Sequence, residues 1–183
     1  DNGDFVFIDP KFTMTGSGFL KSRFIDDKAS AVLLLLLLRW CSEKKVRFLH
    51  PTRIYFVVFE EVGHGASYLP RDIESMLGVD MGCIGDDLQC TEYDVSICAK
   101  DSGGPYSYEV VGKLIDAARR EGADYAVDVY PHYGSDVEAT LRSGYDIRHG
   151  LIGSGVYASH GYERSHVDGV LHTLKTLKGY LFV

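Results

Sequence analysis

The sequence predicts an α/β fold, a three-layer sandwich around a mostly parallel central sheet, on three observations. Strand-like and helix-like segments alternate from one end of the 183 residues to the other, the pattern of a sheet covered by helices. Arg53 to Phe59 is β-branched and aromatic without polar alternation, as expected of a central strand buried on both faces. Acids and a histidine stand where strand-like runs give way to loops, and functional residues in parallel sheets gather at the carboxyl ends of strands.

Taken in order, Phe5 to Ile8 reads as a short strand stopped by Asp9-Pro10. A loop through Thr15-Gly16-Ser17-Gly18 leads to Ile25-Asp26-Asp27-Lys28, and a helix is expected from about Lys28 to Cys41. Its apolar run, Ala31 to Leu38, is too short to cross a membrane, which takes roughly 20 residues. It is closed by Arg39 and Ser42-Glu43-Lys44-Lys45, so a buried core helix is expected. The Arg53–Phe59 strand ends on Glu60-Glu61 and breaks at Gly63. Further strands are expected up to about Asp80 and from Tyr93 to Ala99. Asp101-Ser102-Gly103-Gly104-Pro105 reads as a turn with Pro105 near the first turn of a helix. Val111, Leu114, Ile115 and Ala118 carry helical spacing up to Gly122. Tyr125 to Tyr130 is strand-like, Gly134-Ser135-Asp136 opens a short helix that stops at Gly144, and Ile147 to Ile152 suits a strand. Val167, Val170, Leu171 and Leu174 mark the last helix. There is no internal repeat, low-complexity tract or linker, so one domain over residues 1–183 is expected.

A formal net charge of -7 argues against nucleic acid as a partner, since phosphate binding needs clustered Lys and Arg. Cys41, Cys83, Cys90 and Cys98 form no CxxC pair and have no His at zinc-finger spacing, and are expected to be reduced thiols in a cytoplasmic protein. The first residues have neither the basic start nor the apolar stretch of a signal peptide and no initiator Met. A start inside a longer or processed chain is expected.

Four places put acids or His at a strand–loop boundary: Asp26-Asp27, Glu60-Glu61, Asp80 and His160. Carboxylates and neutral imidazole suit zinc, cobalt or manganese. A pair of such ions about 3.5–4 Å apart needs a bridging carboxylate, and a further carboxylate held off the ions can serve as general base. Alone, Asp-Asp reads equally as a turn or cap, Glu-Glu as solvated charge and His160 as a loop residue. His64, His132, His149, His166 and His172 are read as structural, with His64 and His166 nearest to the motif residues.

The motifs Ile25-Asp26-Asp27-Lys28-Ala29, Phe59-Glu60-Glu61-Val62-Gly63, Val79-Asp80-Met81-Gly82, Tyr133-Gly134-Ser135-Asp136 and Ala158-Ser159-His160-Gly161 occur in an order that resembles the glutamyl/tetrahedral aminopeptidase family of di-metal peptidases. The resemblance runs from Gly3 to the last helix. It implies Asp26 as the carboxylate bridging two divalent ions, Glu61 and His160 as ligands of one and Asp80 of the other. It further implies Glu60 as the general base, Asp136 as a substrate-side residue, a peptide substrate and a homo-oligomer. Ser135 reads equally well as a plain helix N-cap. Neighbours on a regular strand face opposite ways, so Glu60 and Glu61 can share a site only where the strand ends, which Gly63 favours. Asp27 is given no ligand role.

Members of that family are longer, with an N-terminal segment supplying another metal-binding His and an inserted β-rich domain. No His precedes Asp26 here, which leaves the Asp80 ion one ligand short, and the first strand resembles the exit from the inserted domain. Three functions are therefore weighed. They are a di-metal aminopeptidase, another metal hydrolase such as a deacylase or carbohydrate-active enzyme, and a catalytically incomplete metal-binding or interaction fragment.

Overall fold

A computed structural model describes residues 1–182. Its main sheet is built from β3 (Ser75–Cys83), β4 (Val95–Asp101), β5 (Gly104–Pro105), β6 (Tyr125–Val129) and β7 (Arg148–Val156); the preceding strands β1 (Thr13–Met14) and β2 (Phe19–Ser22) belong elsewhere. β3 pairs with β7 in parallel over the full length of both, and β4 with β6 in parallel. β4 meets β7 and β5 antiparallel over short stretches, so the sheet is mostly parallel.

Adjacent strand residues divide the core into two layers. Ile97 and Ile152 face one way, against Leu33 of α1 (Ile25–Lys44), Val110 and Leu114 of α2 (Tyr108–Arg120) and Leu177 of α4 (Val167–Phe182). Their neighbours Cys98 and Leu151 face the other way, against Tyr106, Tyr130 and Val137 of α3 (Asp136–Arg142). This is the period-2 alternation of a strand covered on both faces. Burial of each large apolar side chain stabilises the layers by roughly 1.5–3 kcal/mol.

A second, antiparallel sheet joins β1, β2 and β8 (Glu163–His166) in the order β1-β2-β8. No periodicity in the sequence announces it, because each of these strands has at most four residues, too few to show a period. It positions the site nevertheless. The pairing of Ser22 with Glu163 sets the start of α1 beside the start of β8.

Four expectations require correction. Phe5–Ile8 forms no strand, and Phe7 is 91% exposed; the first ladder begins only at Thr13, so the segment has no neighbour to pair with. Arg53–Phe59 is not a central strand. Val58 is 85% exposed, and between Arg53 and Val58 there is no backbone hydrogen bond among the described residues. β-Propensity states that a segment fits a pleated surface, not that a partner is there. At its start Arg53 makes a forked ion pair with Asp72 at 2.7 and 2.8 Å, both side chains exposed. The Ala31–Leu38 helix is not buried all round: Leu33 and Leu37 are enclosed, one turn apart, while Val32, Leu35 and Leu36 are exposed. Pro105 pairs with Lys100 in a hairpin rather than opening α2, which starts at Tyr108 after Ser107.

Gly153 lies opposite Asp80 in the β3–β7 ladder, and a Cβ there would sit 2.0 Å from the Asp80 carbonyl oxygen. The obstacle is backbone and cannot rotate away. Gly153→Ala is expected to destabilise the chain by about 1–3 kcal/mol, the usual cost of overpacking, read as a lower urea midpoint with unchanged slope. An unchanged midpoint would show that the strands separate freely here.

Candidate metal centre

Four segments converge at the carboxyl end of β3. Asp80 stands near that end, with Oδ1 accepting from the Met81 amide at 2.8 Å. Asp26 and Asp27 open α1 in non-helical backbone conformations after Phe24, which is left-handed at φ 63°. Glu60 and Glu61 lie on a short 3-10 turn, Glu60–Val62, closed by left-handed Gly63 at φ 81°. His160 occupies the β7–β8 loop at φ 65°. The turn at Glu60–Val62 resolves the geometric difficulty of two adjacent glutamates serving one place, since they no longer alternate across a strand.

Two groups of three potential ligands result, each with its ligand atoms within 4.8 Å of one another. One is Asp26, Glu61 and His160; the other is Asp26, Asp27 and Asp80. In the first, His160 Nε2 lies 3.0 Å from Glu61 Oε2 and 3.5 Å from Asp26 Oδ2. Asp26 Oδ2 also accepts from Ser159 Oγ at 2.6 Å. In the second, Ser30 Oγ on α1 donates to the Asp80 carbonyl at 2.7 Å, fastening the helix to β3. Asp27 keeps an enclosed Oδ1 with no hydrogen-bond partner.

The electrostatics are those of crowded acids. Asp27 and Asp80 keep a little exposed surface but are densely surrounded by protein atoms. Burial first, then neighbouring carboxylates, push both well above the usual carboxylate range, with Ser30 opposing at Asp27 and Tyr133 at Asp80. Glu60 is pushed up to about 7 by burial, then by Glu61, Asp136 and Asp26, against the pull of His160. Glu60 belongs to neither ligand group. An orphaned oxygen, an all-carboxylate-and-imidazole donor set and one carboxylate common to both groups fit a pair of divalent cations.

Asp136 is the first residue of α3, which Ser135 caps by accepting from the Val137 amide at 3.2 Å. Burial raises its carboxyl, and its Oδ1 has no partner. Gly65 permits this packing, for a Cβ there would fall 2.3 Å from Asp136 Oδ1. His64 stacks on Phe59 and His166 gives Nε2 to a contact with the Ser17 carbonyl at 2.7 Å; neither enters a ligand group. Two residues stand closer to the site than the sequence suggests: Asp27, given no ligand role above, and Glu163, which no motif marks. Asp27 stands with Asp26 and Asp80, though next to a candidate bridging carboxylate its burial left no local signal. Glu163 is enclosed beneath the site, and its only sequence signal is a position three residues after His160.

A model of the M42 glutamyl aminopeptidases matches residues 1–176. The chain belongs to the M42 glutamyl aminopeptidase family. Among M42 relatives it is 46% identical over 180 residues to "Putative aminopeptidase YhfE" of Bacillus subtilis strain 168, covering 98% of this chain and 52% of that protein. The chain thus spans about half the length of this relative. Among solved structures it is similar to the TET1 peptidase of Pyrococcus horikoshii, with a TM-score of 0.79 at 20% identity over 93% of this chain and 52% of the other. A TET aminopeptidase from a marine sediment archaeon, Thaumarchaeota archaeon SCGC AB-539-E09, gives 0.79 at 15% identity over 92% and 50%. At that identity these likenesses speak for the fold, and they agree with an α/β sandwich around a mostly parallel sheet.

The raised acids make a linkage prediction. Raised pKa values mean that the folded chain binds more protons than the unfolded one, so its stability falls as pH rises. For Glu60 the fall runs from about 4, the ordinary carboxylate value, to the folded value of about 7. The metal-free chain is expected to melt lower at pH 7 than at pH 5, and saturating zinc to raise the melting temperature more at pH 7 than at pH 5. Equal zinc shifts at both pH values would disconnect the acids from the ions.

Proposed function

We propose that this M42 chain carries the catalytic portion of a metal-dependent aminopeptidase, which removes N-terminal residues from peptides. The observation that supports this most is Asp26, shared between two ligand groups, with Glu60 beside them and in neither. Asp26, Glu61 and His160 would hold one divalent ion, and Asp26 and Asp80, with Asp27 in reach, the other. Zinc or cobalt suits this donor set, and manganese is acceptable to it. Such ions supply Lewis-acid polarisation of a carbonyl and lower the pKa of water.

The chain's own residues supply the rest. Glu60 accepts the proton of the attacking water as its oxygen bonds the scissile carbonyl carbon. When the C–N bond breaks, Glu60 passes that proton to the departing amine. Burial and neighbouring acids hold the Glu60 carboxyl at about 7 without ions; bound cations would lower it, leaving the ionised form that a general base needs. Ser159 fixes the orientation of the Asp26 carboxylate. Asp136 is retained as a substrate-side residue from the family resemblance; its unpartnered Oδ1 is itself enclosed against Gly65.

A homo-oligomer is part of this reading, in line with the P. horikoshii peptidase, described as assembling into a tetrahedron or a large octahedral shell. So is a cytoplasmic setting, which four unpaired cysteines support. No helix among the described residues is long and apolar enough to cross a membrane. A second reading, a chain that binds ions without turnover by itself, draws on the exposure of two ligands, His160 at 71% and Glu61 at 55%.

Glu60→Gln is expected to lower kcat on aminoacyl-p-nitroanilides by about 10²–10⁴-fold, the usual worth of general acid–base catalysis, with zinc stoichiometry by equilibrium dialysis unchanged. Asp26→Asn is expected to lose both ions. An active Glu60→Gln chain would refute the base assignment. A wild-type chain that binds two ions and hydrolyses nothing would select the second reading.

A further inference from the structure

We infer that Glu163 is a positioning residue that locks two ligand-bearing segments of the metal centre into one geometry; the inference rests on the metal-binding reading above. Glu163 begins β8 and is only 1% exposed. A buried carboxylate needs compensation, and this one receives it from three backbone amides and, among the described residues, no side-chain cation. Oε2 accepts from the amides of Ile25 and Asp26, the latter at 3.1 Å. Oε1 accepts from the amide of His160 at 3.0 Å. One side chain therefore spans from the opening of α1 to the β7–β8 loop.

The amides it engages are ones the secondary structure leaves over. Ile25 and Asp26 sit in the first turn of α1, where amides have no intrahelical acceptor, and the preceding Phe24 is left-handed with no side-chain cap. His160 holds φ 65° and Ala158 φ 58°, conformations that a non-glycine residue keeps only when its surroundings impose them. Without an acceptor at Oε1, the His160 turn would be free to relax toward ordinary backbone angles, carrying the imidazole away from Asp26 and Glu61. The β2–β8 ladder, which pairs Ser22 with Glu163, delivers the carboxylate to this place.

The requirement is for two acceptor oxygens. Glutamine has nearly the same shape but offers one oxygen and one NH₂ group. In either orientation the NH₂ of Glu163→Gln opposes at least one backbone N–H, donor against donor. With its oxygen on the Ile25–Asp26 pair, its NH₂ repels the His160 amide. A residue that only filled space or braced the core would tolerate this change at the metal centre.

The test compares wild type, Glu163→Gln and Glu163→Asp, with His160→Ala as the reference for ligand loss. Zinc affinity is measured by chelator competition, the visible spectrum with cobalt, the unfolding midpoint by urea, and amide exchange of Ile25, Asp26 and His160 by NMR on the metal-free chains. The expected result for Glu163→Gln is a zinc affinity 10–100-fold weaker, the range for removal of a partner that orients a ligand. Its cobalt spectrum changes, and the His160 amide exchanges at least tenfold faster. Should Gln fail to fold, Glu163→Asp, which keeps both oxygens on a shorter stem, is expected to show the same changes in smaller measure. A folded variant with wild-type zinc affinity, cobalt spectrum and His160 exchange overturns the inference. So does failure of both variants to fold where His160→Ala folds, since Glu163 would then be a core strut. If the wild-type chain binds no zinc, the metal reading fails instead, and the clamp is still decided by amide exchange.

Discussion

The structure turns on the repulsion among carboxylates brought to the end of β3. Asp26, Asp27 and Asp80 approach within one ligand shell while Glu60 and Glu61 stand beside it. Like charges at such separations cost several kcal/mol each in a poorly solvated setting. A fold can carry that cost by retaining protons or by taking up cations. The raised carboxyls of Asp27, Asp80 and Glu60 display the first response. The two candidate ligand groups, which share Asp26, would allow the second.

Such a cluster does not assemble by itself, and the backbone around it explains how it is held. Each segment that carries a candidate ligand departs from regular structure at or near the point where it meets the others. Phe24 and His160 are left-handed, Gly63 closes the turn that presents Glu60 and Glu61, and Asp26 and Asp27 leave helical geometry. These departures leave backbone amides without regular partners, and Glu163 gathers three of them. The small antiparallel sheet, besides packing Leu20 against Ile25, Met81 and Val156, therefore has a positional role. The long β3–β7 ladder has another, since it brings Asp80 and the chain leading to His160 to the same end of the sheet.

The same residues show where local reading fails. Arg53–Phe59 has strong strand chemistry and no paired backbone up to Val58 among the described residues. Leu35 and Leu36 lie in the most apolar run of the chain and face outward, whereas Leu33 and Leu37 of the same helix are enclosed. Hydrophobicity along the chain states what a segment can bury. Whether a neighbour exists to bury it against depends on elements far away in sequence. Asp136 illustrates the opposite case, since the cap at Ser135 involves residues only two apart and was legible as such.

By itself the sequence determined the general alternation of strands and helices, the acids and imidazole suited to divalent ions, and the break at Gly122 that follows α2. All of these are set by side-chain chemistry and short-range backbone preference. Only the tertiary structure decided that Asp27 joins Asp26 and Asp80, that the Arg53–Phe59 run stands outside the sheet, and that Glu163 braces the site from beneath. The reason is distance along the chain. Glu163 meets Ile25 across 138 positions, and a contact of that kind leaves no periodicity, spacing or composition in the segments that make it.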